Sequence, residues 1–452
     1  MRQPVWILIA GMLASAAIHA AEPEFTVDQL RQDVQFIRQS IGEIHPEPGS
    51  SISRSDLDNA LDMAHRQLSV PMSRDAAWRV LARLNAQFAD AHFAVLQPQW
   101  RAQAQAHRDA GGLLFPYEVQ ASADGKLFIR SGLGGSATAL AGTPVDTING
   151  IPAARLVQEL LQQAHGDTPR FRAEVLSRRW WFHYWKTYGA PARYTFSHGG
   201  RLMEVAGSAA RPEALVGTSE SDFDRVYQFE LLGKNTALMT VNQFIWPDKQ
   251  KFYAFTAAAF ARMRESGTTT LLIDVRENAG GDDDMWKQGL LPYIATRPYR
   301  HASAYVKKVI PGRASGSERV GDIVQAELDK WEQPAPANPL RFTGRVYVLV
   351  GGMTYSSAVL FTNVMQDFGF GRLAGSGGYA RTRQSGGNQI RILPNTGLEL
   401  VLPRIVFDRP AGSSAPLLVQ PDIAFPDDPF NRRALIDALL QRESKDSALM
   451  GR

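Results

Sequence analysis

Residues Gly351 to Gly375 read GGMTYSSAVLFTNVMQDFGFGRLAG, and the β-type run Val346 to Val350 leads straight into them. A strand that ends at a Gly-Gly turn and passes at once into an apolar helix is the strand-turn-helix step of an α/β fold. It presents Ser356 at a helix N-terminus, where free backbone N–H groups and the helix dipole favour developing negative charge. An acyl-transfer nucleophile needs that setting. A serine that only caps a buried helix would occupy the same place, so the segment alone leaves both readings open.

Thr268 to Gly281, TTTLLIDVRENAGG, is a β-branched and apolar run that ends in Asp274, Arg276 and Asn278 before Gly280-Gly281. A strand apolar on both faces belongs at the centre of a covered sheet. The glycine pair permits close backbone approach to a ligand, with N–H groups available to donate. Asp282, Asp283 and Asp284 follow. Their spacing fits no calcium loop, and carboxylates at a helix start are expected for capping and dipole reasons.

With these residues in place, the chain resembles the S41 serine peptidases. LLIDVRENAGG is similar to that family's LIIDLRxNGGG strand-turn, and VYVLVGGMTYSSAVLFTNVMQDFGFGRLAG to its strand, T-x-S-A-A-E-type nucleophile turn and helix end. The resemblance implies Ser356 as nucleophile, and an oxyanion hole made by the N–H of Ser357 with one from Gly280 or Gly281. LARLNAQFADAHFAVL, Leu81 to Leu96, resembles the family's helix ending in D-G-H-T and implies His92 as general base. DVQFIRQSIGEIHPEP is similar to the opening helix of the tricorn-like branch.

The chain also departs from the family pattern. The C-terminal processing branch uses a lysine base after the nucleophile helix, where this sequence has Gly378-Tyr379-Ala380-Arg381. Arginine stays protonated and cannot accept a serine proton. In the tricorn-like branch a glutamate orients the histidine, and the corresponding position here holds Ala415. Glu399, Asp408 and Asp422 are candidate substitutes through space. His92 itself has a plainer reading, as a capping or core residue at a helix end. No G-x-S-x-G occurs, which argues against an α/β-hydrolase.

Composition narrows the class. The 452 residues are 44% hydrophobic and 21% charged, an ordinary globular balance that accommodates two or three domains. A formal charge of +4, from 49 basic against 45 acidic residues, is too small to argue for nucleic acid. There is no cysteine, which excludes disulfides and thiol chemistry. MRQPVWILIAGMLASAAIHAAE has the charge, apolar run and small-residue cut of a secretory signal peptide, so a periplasmic or secreted protein is expected. No later run is long and apolar enough to span a bilayer.

The expected organisation is multidomain α/β. A signal peptide (1–21) precedes an N-terminal helical unit (22–108), opened by a capping box at Thr26 and Gln29. A PDZ-like α+β module (109–207) follows, marked by turns at Asp124-Gly125, Asn149-Gly150 and Gly199-Gly200 and by AGTPVDTINGIPA. The resemblance implies a crotonase- or ClpP-like core at 222–430, with a C-terminal helix or tail at 431–452. Within the middle module, SRRWWFHYWKTYG interleaves Arg178, Arg179 and Lys186 with Trp180, Trp181 and Trp185. Such a stretch packs against its own domain more often than it stacks on bases or meets a membrane. Gly312 to Pro339 has the composition of a surface insertion capping the site.

The expected function is an exported serine endopeptidase acting on extended polypeptide, with neither metal nor organic cofactor and with homo-oligomerisation left open. The alternatives are an inactive S41-like peptide- or ligand-binding protein, motivated by the missing lysine and glutamate, and an esterase of small acyl substrates.

Overall fold

The computed structural model describes residues 24–450 apart from 218, 234 and 413–415. The expected signal peptide and Ala415 therefore lie outside the described residues. The fold is mixed α/β, with helices and several sheets.

Its centre is a six-stranded sheet in the order Ile423–Ala424, Arg372–Gly375, Arg345–Val350, Thr270–Asp274, Thr236–Val241, Tyr227–Leu232. All neighbours run parallel except the last pair. Thr270–Asp274 is buried at every residue, as its unbroken apolar run requires of a strand covered on both faces. The helix Lys249–Glu265 connects two of these parallel strands; Asp248 caps its start and Gly267, at φ +65°, ends it. Both strand ends that carry the singled-out motifs, Asp274 and Val350, point to the same edge of the sheet. That edge is where ligands meet an open parallel sheet.

The N-terminal part is helical. Thr26 and Gln29 form the capping box at the start of Val27–Ile44, whose Leu30, Val34, Ile37 and Ile41 are buried. Two short helices follow further on, Arg74–Leu81 and Leu84–Phe88, with Ala89 left-handed at φ 49°. That abrupt end turns the chain into Asp90-Ala91-His92. The strand Ala94–Leu96 then pairs antiparallel with Glu399–Leu402, which pairs with Gln389–Ile392. The helical unit thus completes its core with Leu393, Leu398, Leu400 and Leu402 from the far end of the chain. Asp33 is fully buried and accepts from the backbone N–H groups of Asn395 and Thr396 and from the Thr396 hydroxyl.

The hairpins expected at Asp124-Gly125, Asn149-Gly150 and Gly199-Gly200 are present. The aromatic stretch lies on the helix Pro169–Tyr188, where Trp180 and Trp181 are 1% exposed, so packing consumes the tryptophans. Gly312 to Pro339 is mostly exposed, as a surface insertion should be. It contributes the edge strand Ile323–Glu327 of a sheet ordered through Ala304–Lys308 and Ile405–Phe407 to Gln384–Gly386, because main-chain pairing gives its backbone partners that a free loop would lack.

Replacing Asp33 with alanine removes the acceptor of two buried donors on Thr396 and two half-buried ones on Asn395. We expect a loss of about 2–4 kcal/mol, read by urea or thermal denaturation as one cooperative shift rather than separate loss of the helical unit.

Candidate functional site

Ser356 sits at the head of the helix Ser357–Asp367 with φ 54° and ψ −125°, a conformation that L-residues rarely adopt. Its hydroxyl makes no capping hydrogen bond. It lies instead 3.0 Å from His92 Nε2, although the two residues are 264 positions apart. The strain is maintained by what surrounds the turn. The Thr354 hydroxyl accepts from Gly351 N–H and donates to Val275 C=O, and Tyr355 N–H donates to Asn278 C=O. The Ser357 hydroxyl takes the Trp286 indole N–H at 2.9 Å and donates to Asp283 at 2.5 Å.

His92 is held on its other nitrogen. Nδ1 lies 3.0 Å from the Ser385 hydroxyl, which donates to Asp90 Oδ1 at 2.9 Å. The same Asp90 oxygen accepts His92 N–H at 2.7 Å, so one carboxylate orients both the backbone and, through Ser385, the ring of His92. Burial lowers the His92 pKa below its ordinary value, against the raising field of Asp90 and its contact with Ser385. The imidazole is therefore neutral at neutral pH and free to accept a proton on Nε2.

A second carboxylate lies behind the first. The Tyr355 hydroxyl is 2.7 Å from Asp167 and 3.3 Å from Asp90, and its ring centroid is 4.9 Å from that of His92. Burial, reinforced by the charge of Asp90, pushes the Asp167 carboxyl up to about 6. Arg381, which stands where the family's lysine would be sought, donates its N–H to Asp167 and its guanidinium to Ala89 C=O. It supports the site and takes no proton.

Facing Ser356 is the glycine turn. A Cβ on Gly280, whose φ is +101°, would lie 2.5 Å from Ser356 Cβ and 2.9 Å from Ser357 N, so only glycine leaves that space open. Gly280 N–H is engaged, donating to Asn278 Oδ1 at 2.8 Å, and Ser356 N–H donates to Gln384 Oε1 at 3.1 Å. Ser357 N–H, in the first turn of its helix, and Gly281 N–H have no acceptor among the described residues. Gly280 thus meets the site through its missing side chain rather than its amide.

Asp282 caps the helix Asp283–Gly289 by accepting from Asp284 N–H, and Lys249 pairs with both Asp282 and Asp284. Among the described residues no three His, Asp or Glu side chains are grouped to hold a metal ion.

Of the acids considered as orienting groups, Glu399 accepts from Gln99 N–H, Asp408 from Arg383, and Asp422 from Gln366 and Leu373 N–H. None of these contacts reaches His92. Sequence reading passed over Ser385 and Gln384, for which RTRQSGG offers no signal. Asp90 was nearer to view: an aspartate two residues before a histidine is placed to cap that histidine's N–H.

Residues 235–425 match the family model described as peptidase family S41. Over that segment, less than half of the chain, the sequence is similar to peptidase family S41. Its fold is similar to the crystal structure of mature CPAF, at a TM-score of 0.61 and 16% identity over 90% of this chain and 94% of that one. It is likewise similar to mature CPAF complexed with lactacystin, at 0.63 and 15% identity over 94% and 98% of the two chains. No curated protein matches the chain by sequence. At these identities the structural likeness speaks for fold. The S41 match covers the strands and helix that carry Gly280, Gly281, Ser356, Ser357 and Ser385, and leaves Asp90 and His92 outside its span.

Gly280→Ala should fold but lose reactivity at Ser356. We expect the rate of adduct formation with a fluorophosphonate to fall by roughly 100-fold or more, a size typical of damage to an oxyanion site, while the chromatographic profile stays that of the parent.

Proposed function

We propose that this chain is an exported serine endopeptidase that cleaves extended polypeptide through an acyl intermediate on Ser356. The observation that carries the reading is the 3.0 Å contact between His92 Nε2 and a Ser356 hydroxyl that caps nothing. In this mechanism Ser356 Oγ attacks the scissile carbonyl carbon and gives its proton to His92 Nε2. The resulting imidazolium is stabilised through Nδ1–H, Ser385 and Asp90. The carbonyl oxygen, now negative, takes hydrogen bonds from Ser357 N–H and Gly281 N–H. His92 returns the proton to the departing amine, and a water activated by the same imidazole then releases the acyl group. The chain's own residues supply every proton transfer.

The inert-binder reading drew on the missing glutamate. Ser385 with Asp90 provides an orienting path from a different part of the chain, which favours the enzyme. Export rests on the N-terminal sequence. Among the described residues no helix is long and apolar enough to cross a membrane.

A fluorophosphonate should label the parent on Ser356 and leave Ser356→Ala and His92→Ala unlabelled. A parent that stays unmodified alongside a labelled active control refutes the assignment. Ser385→Ala should lower kcat/KM on an unfolded protein substrate by roughly 10²–10⁴-fold, the scale of losing a histidine's orienting partner.

The pH profile carries a separate expectation. Activity requires neutral His92, so kcat/KM falls on the acid side as the ring protonates. Because burial lowers this pKa, the midpoint of that limb should lie below about 6.5. Asp90 raises the His92 pKa, so Asp90→Asn should move the limb to still lower pH while reducing the plateau. A limb that moves upward contradicts the relay.

A further inference from the structure

The glycine turn opens on a cleft of about 520 Å³, lined by Gly280, Gly281 and Met353 and walled by charged side chains from the helix Pro169–Tyr188 and from Trp100–Asp109. Four of the seven arginines that line the cleft are ion-paired. Arg130 pairs with Glu213, Arg276 with Asp274, and Arg178 and Arg432 share Glu277. The Glu118 carboxylate accepts the N–H groups of Gly134 and Glu213.

Two guanidiniums stand apart. Arg101 and Arg179 have no carboxylate within ion-pair distance among the described residues. Both lie over the Trp100 ring, with Cζ 4.3 Å and 4.6 Å from its centroid. The two cations are therefore no more than about 9 Å apart, close enough to repel. Arg225, the third unmatched arginine of the cleft, is exposed and stacks on no ring.

The backbone takes part in this arrangement. Arg179 breaks the helix with φ −120° and ψ 21°. Successive residues on a straight helix point about 100° apart, yet Arg178 and Arg179 both line the cleft. Burial, with the charge of Arg179 added, lowers His183 to about 3. A guanidinium over an aromatic ring still has N–H donors that can engage a carboxylate.

We propose that Arg101 and Arg179 form a carboxylate-binding subsite of this cleft, which selects polypeptide substrates by an acidic group seated on the Trp100-stacked guanidinium pair. The inference rests on the peptidase reading for its substrate class. A single carboxylate fits better than a polyanion. Glu174, Glu277 and Asp427 line the same cleft and would repel a nucleic-acid backbone. The carboxylate has two sources, an aspartate or glutamate side chain or the peptide's own C-terminus.

The test uses Ser356→Ala, so that peptides bind without turnover. Fluorescence anisotropy compares fluorescein-labelled peptides bearing Asp or Glu with the same peptides bearing Asn or Gln, each with a free or an amidated C-terminus. We expect the acidic form to bind roughly 10–100-fold tighter, the range of a charge-assisted hydrogen bond, with the advantage shrinking as salt is added. If amidation alone removes the advantage, the C-terminus is the ligand; if side-chain neutralisation does, the internal residue is.

Either Arg101→Gln or Arg179→Gln should bring acid and amide peptides to within about threefold of each other. Arg101 is exposed, so its variant should keep the parent's melting midpoint even where Arg179→Gln does not. Equal affinity for the two peptide classes in the Ser356→Ala parent overturns the proposal, as does an acid preference that survives Arg101→Gln, or preferential binding of a single-stranded oligonucleotide. Absent fluorophosphonate labelling refutes the peptidase reading alone, because this comparison needs no catalysis.

Discussion

The site depends on one antiparallel pairing, Ala94–Leu96 against Glu399–Leu402. It sets a strand from the first quarter of the chain into a sheet made by the last, and so brings His92 to a serine 264 positions away. The hairpin that receives it follows directly from Gln384–Gly386, the strand that carries Ser385 to His92 Nδ1. Both partners of the imidazole are thus positioned by late-chain segments. Asp33, buried against Asn395 and Thr396, secures the same junction from the helical side. Closing so long a loop costs conformational entropy, and the leucine core shared between the two ends supplies the compensating burial.

Around His92 the difficulty is electrostatic. Asp90 and Asp167 are both buried beside one tyrosine hydroxyl, and two carboxylates that close disfavour being ionised together. Asp90 is engaged by Ser385 and by His92 N–H, whereas Asp167 takes the upward shift and the Arg381 contact. Different neighbours give the two acids different duties. One faces the imidazole, and the other anchors the tyrosine that packs on it.

The backbone at Ser356 shows how a rigid scaffold bears local strain. A cap residue in ordinary extended geometry would fold its hydroxyl back onto the helix. At φ 54° the hydroxyl projects away from the helix, and the hydrogen bonds of Thr354, Tyr355 and Ser357 hold it there. Gly280 completes the arrangement by absence, since a methyl group would fill the space between Ser356 and Ser357 N–H. The charged cleft begins at this point, with Arg178 and Arg179 placed by a helix that breaks at Arg179.

Local pattern sufficed for much of this. The apolar run at Thr270–Asp274 dictates a central strand because no polar residue interrupts either face. Gly-Gly after Val350 and after Ala279 marks the two turns, and Thr26 with Gln29 starts the first helix through contacts only three residues long. Ser356 and the glycines could be singled out for the same reason: their chemistry is set by the turn they occupy. What orients His92 could not be read this way. Ser385 has no distinguishing neighbours, and its role follows from strand register, which sequence leaves open when the partners are about 290 residues apart. Whether Ser356 caps or projects, which glycine keeps a free N–H, and which arginines go unpaired were likewise decided only by packing, because each depends on groups that meet across the fold and not along the chain.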